Sequence, residues 1–120
     1  MNSTIRTAIA ISVSILGVSS AQATGPKAIP YAKISGLITK QCAYCHNATR
    51  HPEAVDLSSY KALMKSGEKG SIVSAGHPEK SKLIAYIDGT KEPRMPFKKA
   101  PLSKADIKAI SDWVAAGAKG

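Results

Sequence analysis

The sequence predicts an all-α fold with about four helices. Apolar residues recur at the three-and-four spacing of a helical face in four separate segments, and the stretches between them are rich in glycine and proline. No segment alternates apolar and polar residues as a half-buried strand does, and no internal repeat is visible. We expect these helices to form one domain at residues 24–120, after a leader at residues 1–23.

The first 23 residues have the features of a signal peptide. Arg6 supplies a short positive region, residues 8–18 are mostly apolar, and Ala-Gln-Ala at residues 21–23 is a typical cleavage pattern. The apolar run is short for a bilayer span, so cleavage is preferred to the alternative of a retained anchor. The chain has 17 basic and 8 acidic residues, and loss of Arg6 leaves a formal net charge of +8.

The first helix is predicted to run from about Tyr31 to Cys45. The apolar positions that share one of its faces are Tyr31, Ile34, Leu37, Ile38 and Cys42. Gly36 lies inside this segment, where glycine costs about 1 kcal/mol relative to alanine. Either it permits the close approach of another helix or it is simply tolerated, and the sequence leaves both interpretations open.

The end of this helix carries the sequence Cys-Ala-Tyr-Cys-His at residues 42–46. Two cysteines separated by two residues and followed by a histidine form the attachment motif of a c-type haem. Because residues three apart share a helical face, Cys42 and Cys45 can each form a thioether with one vinyl group of the macrocycle. His46 is then the expected axial ligand on one face of the iron. Both cysteines of the chain lie in this motif, so no other disulfide is available.

One covalently attached haem suits the size and composition of the chain. A domain of this length has only a moderately large core, and its aromatic residues are four tyrosines, one tryptophan and one phenylalanine. A flat apolar macrocycle would supply part of the missing interior. Export agrees with this interpretation, because Gram-negative bacteria attach c-type haem on the outer side of the inner membrane. The expected location is therefore the periplasm.

Residues 47–55 have no apolar period and are predicted to form a loop beneath one face of the haem. A proximal histidine usually donates its second ring nitrogen to a carbonyl group, which fixes its tautomer and direction. The carbonyl of Pro52 or of a neighbouring residue is the expected acceptor for His46.

Two short helices follow. Asp56 or Ser58 is expected to cap the first, and Gly67 to end it. Pro78 and Glu79 suit the first turn of the second. The apolar positions are Leu57, Tyr60, Leu63 and Met64 in the first helix, Ile72 and Val73 in the loop at 67–76, and Leu83, Ile84 and Ile87 before Gly89.

The last helix has a clear predicted start. Pro93, Pro96 and Pro101 exclude a helix from the segment before it. Ser103 is the expected cap, with Asp106 three positions later as an Asp variant of the capping box. The buried face and the stop of this helix are Ile107, Ile110, Trp113, Val114 and then Gly117.

The second axial ligand separates an electron carrier from an oxygen or peroxide enzyme. Met64 lies at helical spacing among apolar residues, so it is interpreted as part of the core. Met95 lies between two prolines in a polar loop with little core to fill, and it is the predicted ligand. His51 and His77 are the competing candidates. His51 is close in sequence to His46 and is expected on the proximal side, whereas His77 precedes a helix start.

Three features together resemble a small class I cytochrome c, and more narrowly the planctomycete-type cytochrome c domain, over about residues 35–119. They are the attachment motif, the proline-flanked Met95 and a final helix with Trp113. Further matching positions are Asp56, Leu57, Ile72, Val73, Gly76, Pro78, Glu79, Ser81, Leu83, Pro101, Leu102, Ser103, Ile107, Ile110, Gly117 and Ala118. The resemblance implies that the first and last helices cross near one haem edge, with Ile38 packed against Ile110 and Trp113.

Two positions depart from this family pattern. His77 stands where the family often has an acidic or amide residue, and Phe97 stands where a second proline is common. Phe97 either covers a haem edge or packs in the core. Neither position is an expected iron ligand, and the role of His77 stays open.

The resemblance and the ligand pair His46 and Met95 imply a periplasmic mono-haem cytochrome that carries single electrons between redox partner proteins and has no catalytic residue. A monomer is expected. The basic residues around the methionine are Lys91, Arg94, Lys98 and Lys99. They form either a rim that docks an acidic partner or an anionic membrane face, or merely a solvated loop. Nucleic acid is excluded as a partner because the lysines are scattered and no aromatic residues are interleaved in a basic stripe.

Three alternatives remain at the level of sequence. One is a haem domain with an open or switchable distal site that reduces peroxide or binds a gas, with Arg94 or His77 near the iron. Another is a haem subunit of a larger oxidoreductase. The last is a haem-free protein with a redox dithiol or a zinc ion at Cys42 and Cys45. A dithiol enzyme lacks its strand-helix-strand context here, and His46, adjacent to Cys45, cannot easily join both thiols around zinc.

Overall fold

The computed structural model describes residues 10–14, 17 and 27–120. The predicted signal peptide, residues 1–23, lies for the most part outside this range, and its boundary stays a prediction. Within the described ranges, no helix combines the length and the apolar character needed to cross a membrane.

The described residues contain four α-helices. They are α1 at Ser35–Gln41, α2 at Tyr60–Lys65, α3 at Lys82–Ile87 and α4 at Lys104–Ala115. Single turns of 3₁₀ helix lie at Tyr31–Lys33, Pro52–Ala54 and Pro78–Lys80. The described residues contain no strand, and the β-type pairing among them is one parallel bridge between Pro30 and Lys119. The all-α prediction is therefore confirmed.

Helix α1 is shorter than predicted at both ends. Its predicted first turn is a separate 3₁₀ turn, and Ile34 lies between this turn and α1 with φ −118° and ψ −8°. The Tyr31 N–H donates to the distant Lys119 carbonyl (3.0 Å). At the other end, Cys42 has φ −124°, so the attachment motif follows the helix as a turn. The space around Gly36 is open, since a Cβ there would meet no atom within 4 Å. The interpretation that Gly36 admits another helix is wrong.

Helix α2 is capped by a residue that the sequence prediction did not choose. Ser59 Oγ accepts the Ala62 N–H at 3.1 Å, so the prediction of Asp56 or Ser58 as cap is wrong. Asp56 instead accepts the N–H and the hydroxyl of Ser58 at 2.9 and 2.6 Å, which forms a turn just before the helix. Leu57 is buried, but it precedes α2.

Helix α4 follows the sequence prediction, but α3 starts later than predicted, since Pro78 and Glu79 lie in a separate turn. Pro78 begins a 3₁₀ turn, and Ser81 separates this turn from α3. Ser103 Oγ accepts the Asp106 N–H at 3.0 Å and caps α4 as predicted. Gly117 has φ +105°, a left-handed conformation that suits the residue just after a helix.

The helices and the loop at 67–76 bury one apolar cluster. Its members are Ile34, Ile38, Leu57, Leu63, Ile72, Val73, Leu83, Ile84, Ile87, Leu102, Ile110, Trp113, Val114 and Ala118. Ile38, Ile110 and Trp113 are fully buried in it. The two apolar anchors predicted for the loop, Ile72 and Val73, are buried as expected. A class I crossing of α1 and α4 stays a prediction.

Three aromatic rings hold the two ends of the domain together. The ring centroids of Tyr31, Tyr60 and Trp113 lie 5.5 to 6.4 Å apart in tilted and edge-on pairs, the geometry that aromatic quadrupoles favour. The Lys119 carbonyl accepts the Tyr31 N–H and the Trp113 Nε1–H at 3.0 and 2.9 Å. Tyr60 Oη donates to the Ala118 carbonyl at 3.0 Å. The Trp113 indole and the Tyr60 hydroxyl are therefore both bonded to the main chain at the end of the chain.

Two glycines are expected to respond oppositely to alanine. Gly67 has φ +118°, and a Cβ there would overlap the Gly70 carbonyl oxygen, so Gly67→Ala should lower the free energy of unfolding by about 2 kcal/mol or more. Gly36→Ala, in the open and helical site, should raise it by about 0.5–1 kcal/mol. Urea unfolding followed by far-ultraviolet circular dichroism measures both changes. Equal effects of the two substitutions would contradict the structure at residue 67.

Candidate functional site

The predicted attachment residues lie in one turn at the end of α1. The Cys42 N–H still donates to the Ile38 carbonyl at 2.9 Å, and the Cys42 carbonyl accepts the N–H groups of Cys45 and His46 at 3.2 and 3.0 Å. Cys42, Cys45 and His46 are each half-buried, and both thiols are free. The backbone of these three residues therefore stays in one hydrogen-bonded turn although the regular helix has ended.

Burial raises the pKa of the Cys42 thiol to about 11. A redox dithiol needs a thiolate near neutral pH, and such cysteines normally have lowered pKa values. Within the described part of the chain, no three His, Cys, Asp or Glu side chains gather as they would around a metal ion. The haem-free alternatives thus find no support in the surroundings of Cys42.

The imidazole of His46 is oriented by a main-chain carbonyl. Its Nδ1 lies 3.1 Å from the Val55 carbonyl oxygen, and because a carbonyl only accepts, Nδ1 carries the proton. The lone pair is therefore on Nε2, the nitrogen available to a metal. The sequence pointed to Pro52 or a neighbour, but the Pro52 carbonyl accepts the Val55 N–H (3.2 Å) in the 3₁₀ turn. The acceptor is consequently Val55, three residues later.

Asn47 organises the loop after the motif, a role that the sequence analysis missed. Its Nδ2 donates to the Ala43 and Tyr44 carbonyls at 2.8 and 3.2 Å. Its Oδ1 accepts the Thr49 N–H and hydroxyl and the Arg50 N–H at 2.9 to 3.1 Å. Asparagine in a polar loop often bonds nearby backbone in this way, so its position just after His46 was the available signal. Asn47 links the attachment turn to the segment that follows it.

Met95 lies in the irregular loop between α3 and α4, as predicted. Its N–H donates to the Tyr86 carbonyl at 2.9 Å, which ties the loop to α3. The side chain is half-buried and packs against the edge of the apolar cluster, whereas the sequence analysis expected little core contact. Met64 also packs against this cluster, in line with its interpretation as a core residue.

The loop that holds Met95, at residues 88–103 between α3 and α4, meets the attachment turn through Lys99. Lys99 Nζ lies 5.7 Å from the centroid of the Tyr44 ring, and Lys98 Nζ lies 5.3 Å from that of Phe97. Tyr44 and Phe97 are 75 % and 56 % exposed. The interpretation of Phe97 as a packed core residue is therefore wrong, while coverage of a haem edge stays a prediction. The Lys99–Tyr44 contact joins the loop that holds Met95 to the attachment turn.

The competing histidines are exposed, and each has a protein partner for one ring nitrogen. His51 Nδ1 lies 3.2 Å from the Asn47 carbonyl oxygen, and His77 Nδ1 lies 3.1 Å from Glu79 Oε1. Glu79 also lies near Lys80. These contacts place His51 beside the loop after the attachment turn and His77 beside the 3₁₀ turn that starts at Pro78.

The residues present fit a covalently bound haem. Two free thiols and an imidazole with its Nε2 lone pair available lie in one turn, which is the donor set that a c-type haem requires. A thioether sulfur lies in a loop that reaches the same turn.

One comparison with known proteins gives a match. The family model described as Planctomycete cytochrome C matches residues 42–97. The matched segment starts at the first cysteine of the attachment motif and includes Met95, but it is narrower than the resemblance over 35–119 and stops before α4. Neither a curated protein nor a solved structure gives a significant match. The resemblance to the planctomycete cytochrome C domain is thus confirmed over residues 42–97, and a domain of this family implies haem c.

Proposed function

We propose that the protein is an exported mono-haem cytochrome c that carries single electrons in the periplasm. The observation that carries this proposal is the oriented imidazole of His46 in the turn that also holds both thiols. The family match supports a haem protein, and the +8 charge expected after cleavage supports association with other macromolecules rather than a small substrate.

Four residues would hold the haem. Cys42 and Cys45 would form the thioether bonds, and His46 Nε2 and Met95 would bind the iron. When bound, the haem supplies a one-electron couple whose potential depends on its axial ligands. Because Nδ1 of His46 bonds to the Val55 carbonyl, the Nε2 lone pair is directed away from the segment that contains Val55. No protein group needs to make or break a bond after maturation, so no catalytic residue is proposed.

The basic side chains around Met95 are the proposed docking surface. Lys91, Arg94, Lys98 and Lys99 are all exposed. The salt bridges of the described residues are His77–Glu79 and Lys108–Asp112, so these four cations have no acidic partner among those residues. Lys98 and Lys99 lie over exposed aromatic rings, which adds apolar area to a positive surface. This surface suits an acidic redox partner and is also the face that would meet an anionic membrane.

Mass spectrometry of the protein purified from the periplasm tests the haem, its number and the leader together. The expected intact mass is that of a chain starting at Thr24 plus one haem. Cys42→Ser with Cys45→Ser should lose the added mass, whereas Ser74→Ala, away from the motif, should keep it. A parent protein without added haem would contradict the proposed function, and a chain still starting at Met1 would contradict the leader.

Met95→Ala tests the second ligand. The oxidised parent protein is expected to be low-spin with the weak red charge-transfer band of methionine sulfur on ferric iron. The variant should lose this band and bind imidazole or cyanide faster, because its sixth position has lost the protein ligand. Met64→Ala is the matched control and should keep the band. High-spin iron in the parent protein would instead favour the alternative of an open distal site.

Reversal of charge at the docking surface should slow electron transfer to an acidic partner protein. Lys98→Glu with Lys99→Glu is expected to lower the association rate about tenfold at low salt and to weaken its dependence on salt. Lys61→Glu with Lys65→Glu makes the same change of charge on α2 and should have a smaller effect. Stopped-flow rates between about 10 and 200 mM salt measure this difference. A parent rate that does not respond to salt would refute electrostatic docking.

A further inference from the structure

Ser66 is a buried polar residue next to the loop that supports His46. Only 3 % of the surface of Ser66 is exposed. Ser66 Oγ accepts the Asp56 N–H at 2.8 Å and lies 2.8 Å from the Asp56 carbonyl and 2.9 Å from the Ala62 carbonyl. A hydroxyl has one proton to donate, so it serves one of these two carbonyls at a time. Ser66 therefore links the end of α2 to residue 56.

The contacts of Ser66 and its neighbour lie on both sides of Val55. Gly67 N–H donates to the Ala54 carbonyl at 3.0 Å, while Ser66 holds Asp56. Between these two anchors, the Val55 carbonyl accepts from His46 Nδ1 at 3.1 Å. The residues that precede and follow the acceptor are thus both fastened to the end of α2.

A third bond closes the arrangement. Leu57 N–H donates to the main-chain carbonyl of His46 at 2.9 Å, so the segment at 54–57 contacts His46 through both ring and backbone. This segment begins with an unfavourable backbone conformation, since Ala54 and the residue before it, Glu53, both have φ +57°. Backbone of this kind persists when its surroundings hold it. Here the surrounding bonds are those of Ser66 and Gly67.

We propose that Ser66 is a positioning residue for the iron ligand His46. It fixes the segment at 54–57 so that the Val55 carbonyl keeps its hydrogen bond to His46 Nδ1, and through that bond it sets the electron donation of the imidazole. A carbonyl that accepts from Nδ1–H increases the basicity of Nε2, which favours the ferric state. Loss of Ser66 therefore raises the reduction potential. This inference rests on the proposed haem ligation by His46.

Ser81 provides a matched control. It is 2 % exposed, its Oγ accepts the Ser74 N–H at 2.8 Å, and it lies 3.0 Å from the His77 carbonyl. Its hydrogen-bond partners belong to another loop, and none of them contacts His46. Ser66→Ala and Ser81→Ala thus remove the same kind of buried hydroxyl, but only the first loosens the support of His46.

The experiment measures the reduction potential of the haem-loaded parent, Ser66→Ala and Ser81→Ala by redox titration. Ser66→Ala is expected to shift the equilibrium towards the reduced form about threefold, or about 30 mV, since a tenfold change corresponds to about 59 mV for one electron. Ser81→Ala should leave the potential unchanged even where it lowers stability. Ser66→Thr, which keeps the hydroxyl, should restore the parent potential.

A second readout follows the hydrogen bond itself. Exchange of the His46 Nδ1 proton with solvent, seen by ¹⁵N NMR of the reduced protein, should be faster in Ser66→Ala than in Ser81→Ala. If Ser66→Ala does not fold, proton exchange in the parent protein still tests the proposal. Its His46 Nδ1–H and Asp56 N–H should then exchange in one opening event, with rates that rise in parallel on addition of urea.

Equal potentials and equal ring-proton exchange in the two alanine variants would overturn the role of Ser66 while leaving the haem assignment intact. Exchange of the two parent protons in separate events would do the same. Absence of covalent haem from the parent protein would instead remove the proposed function and this inference with it. The intact mass, measured first, therefore separates the two failures.

Discussion

The hydrogen bond from His46 Nδ1 to the Val55 carbonyl is the contact on which the site depends. It selects one tautomer of the imidazole and leaves Nε2 as the only metal-binding nitrogen. The same hydrogen bond joins two segments, since His46 belongs to the attachment turn and Val55 to the segment before α2. The direction of the Nε2 lone pair is thus determined by main-chain geometry well beyond the five-residue motif.

Side chains at both ends of the intervening loop maintain that geometry. Asn47 fastens its beginning to the attachment turn, and Ser66 with Gly67 fastens its end to α2. Small polar residues do this with short side chains, which lose little conformational entropy when they are buried. A domain with few aromatic residues and a modest apolar cluster can therefore still hold a ligand rigidly, because the constraint comes from satisfied hydrogen bonds.

How much of the fold could be predicted from the sequence depends on how far apart along the chain the interacting residues lie. Helix α4 was predicted in full because its cap, apolar period and stop are all local. The start of α1 was not, and Tyr31 in its predicted first turn bonds to Lys119 at the other end of the chain. The cap of α2 was missed because three polar residues close in sequence, Asp56, Ser58 and Ser59, could each have capped the helix. Asp56 and Ser58 bond to each other, which leaves Ser59 as the cap.

The candidate site divides in the same way. The thiols and His46 could be recognised because covalent attachment demands their spacing. The acceptor Val55 could not be chosen among its neighbours, because a 3₁₀ turn occupies the Pro52 carbonyl and only coordinates show such a turn. The exposure of Phe97 could not be predicted either, because an aromatic residue in a loop can lie in a core or on a surface.

The bridge between Pro30 and Lys119 has a consequence for how such a domain can be combined with others. The first and last segments of the domain lie side by side, as is common where domains are exchanged, permuted or inserted into longer chains. Because the two segments run parallel, the chain passes Pro30 and Lys119 in the same direction. A domain fused before the first segment and one fused after the last would therefore leave this bridge in opposite directions.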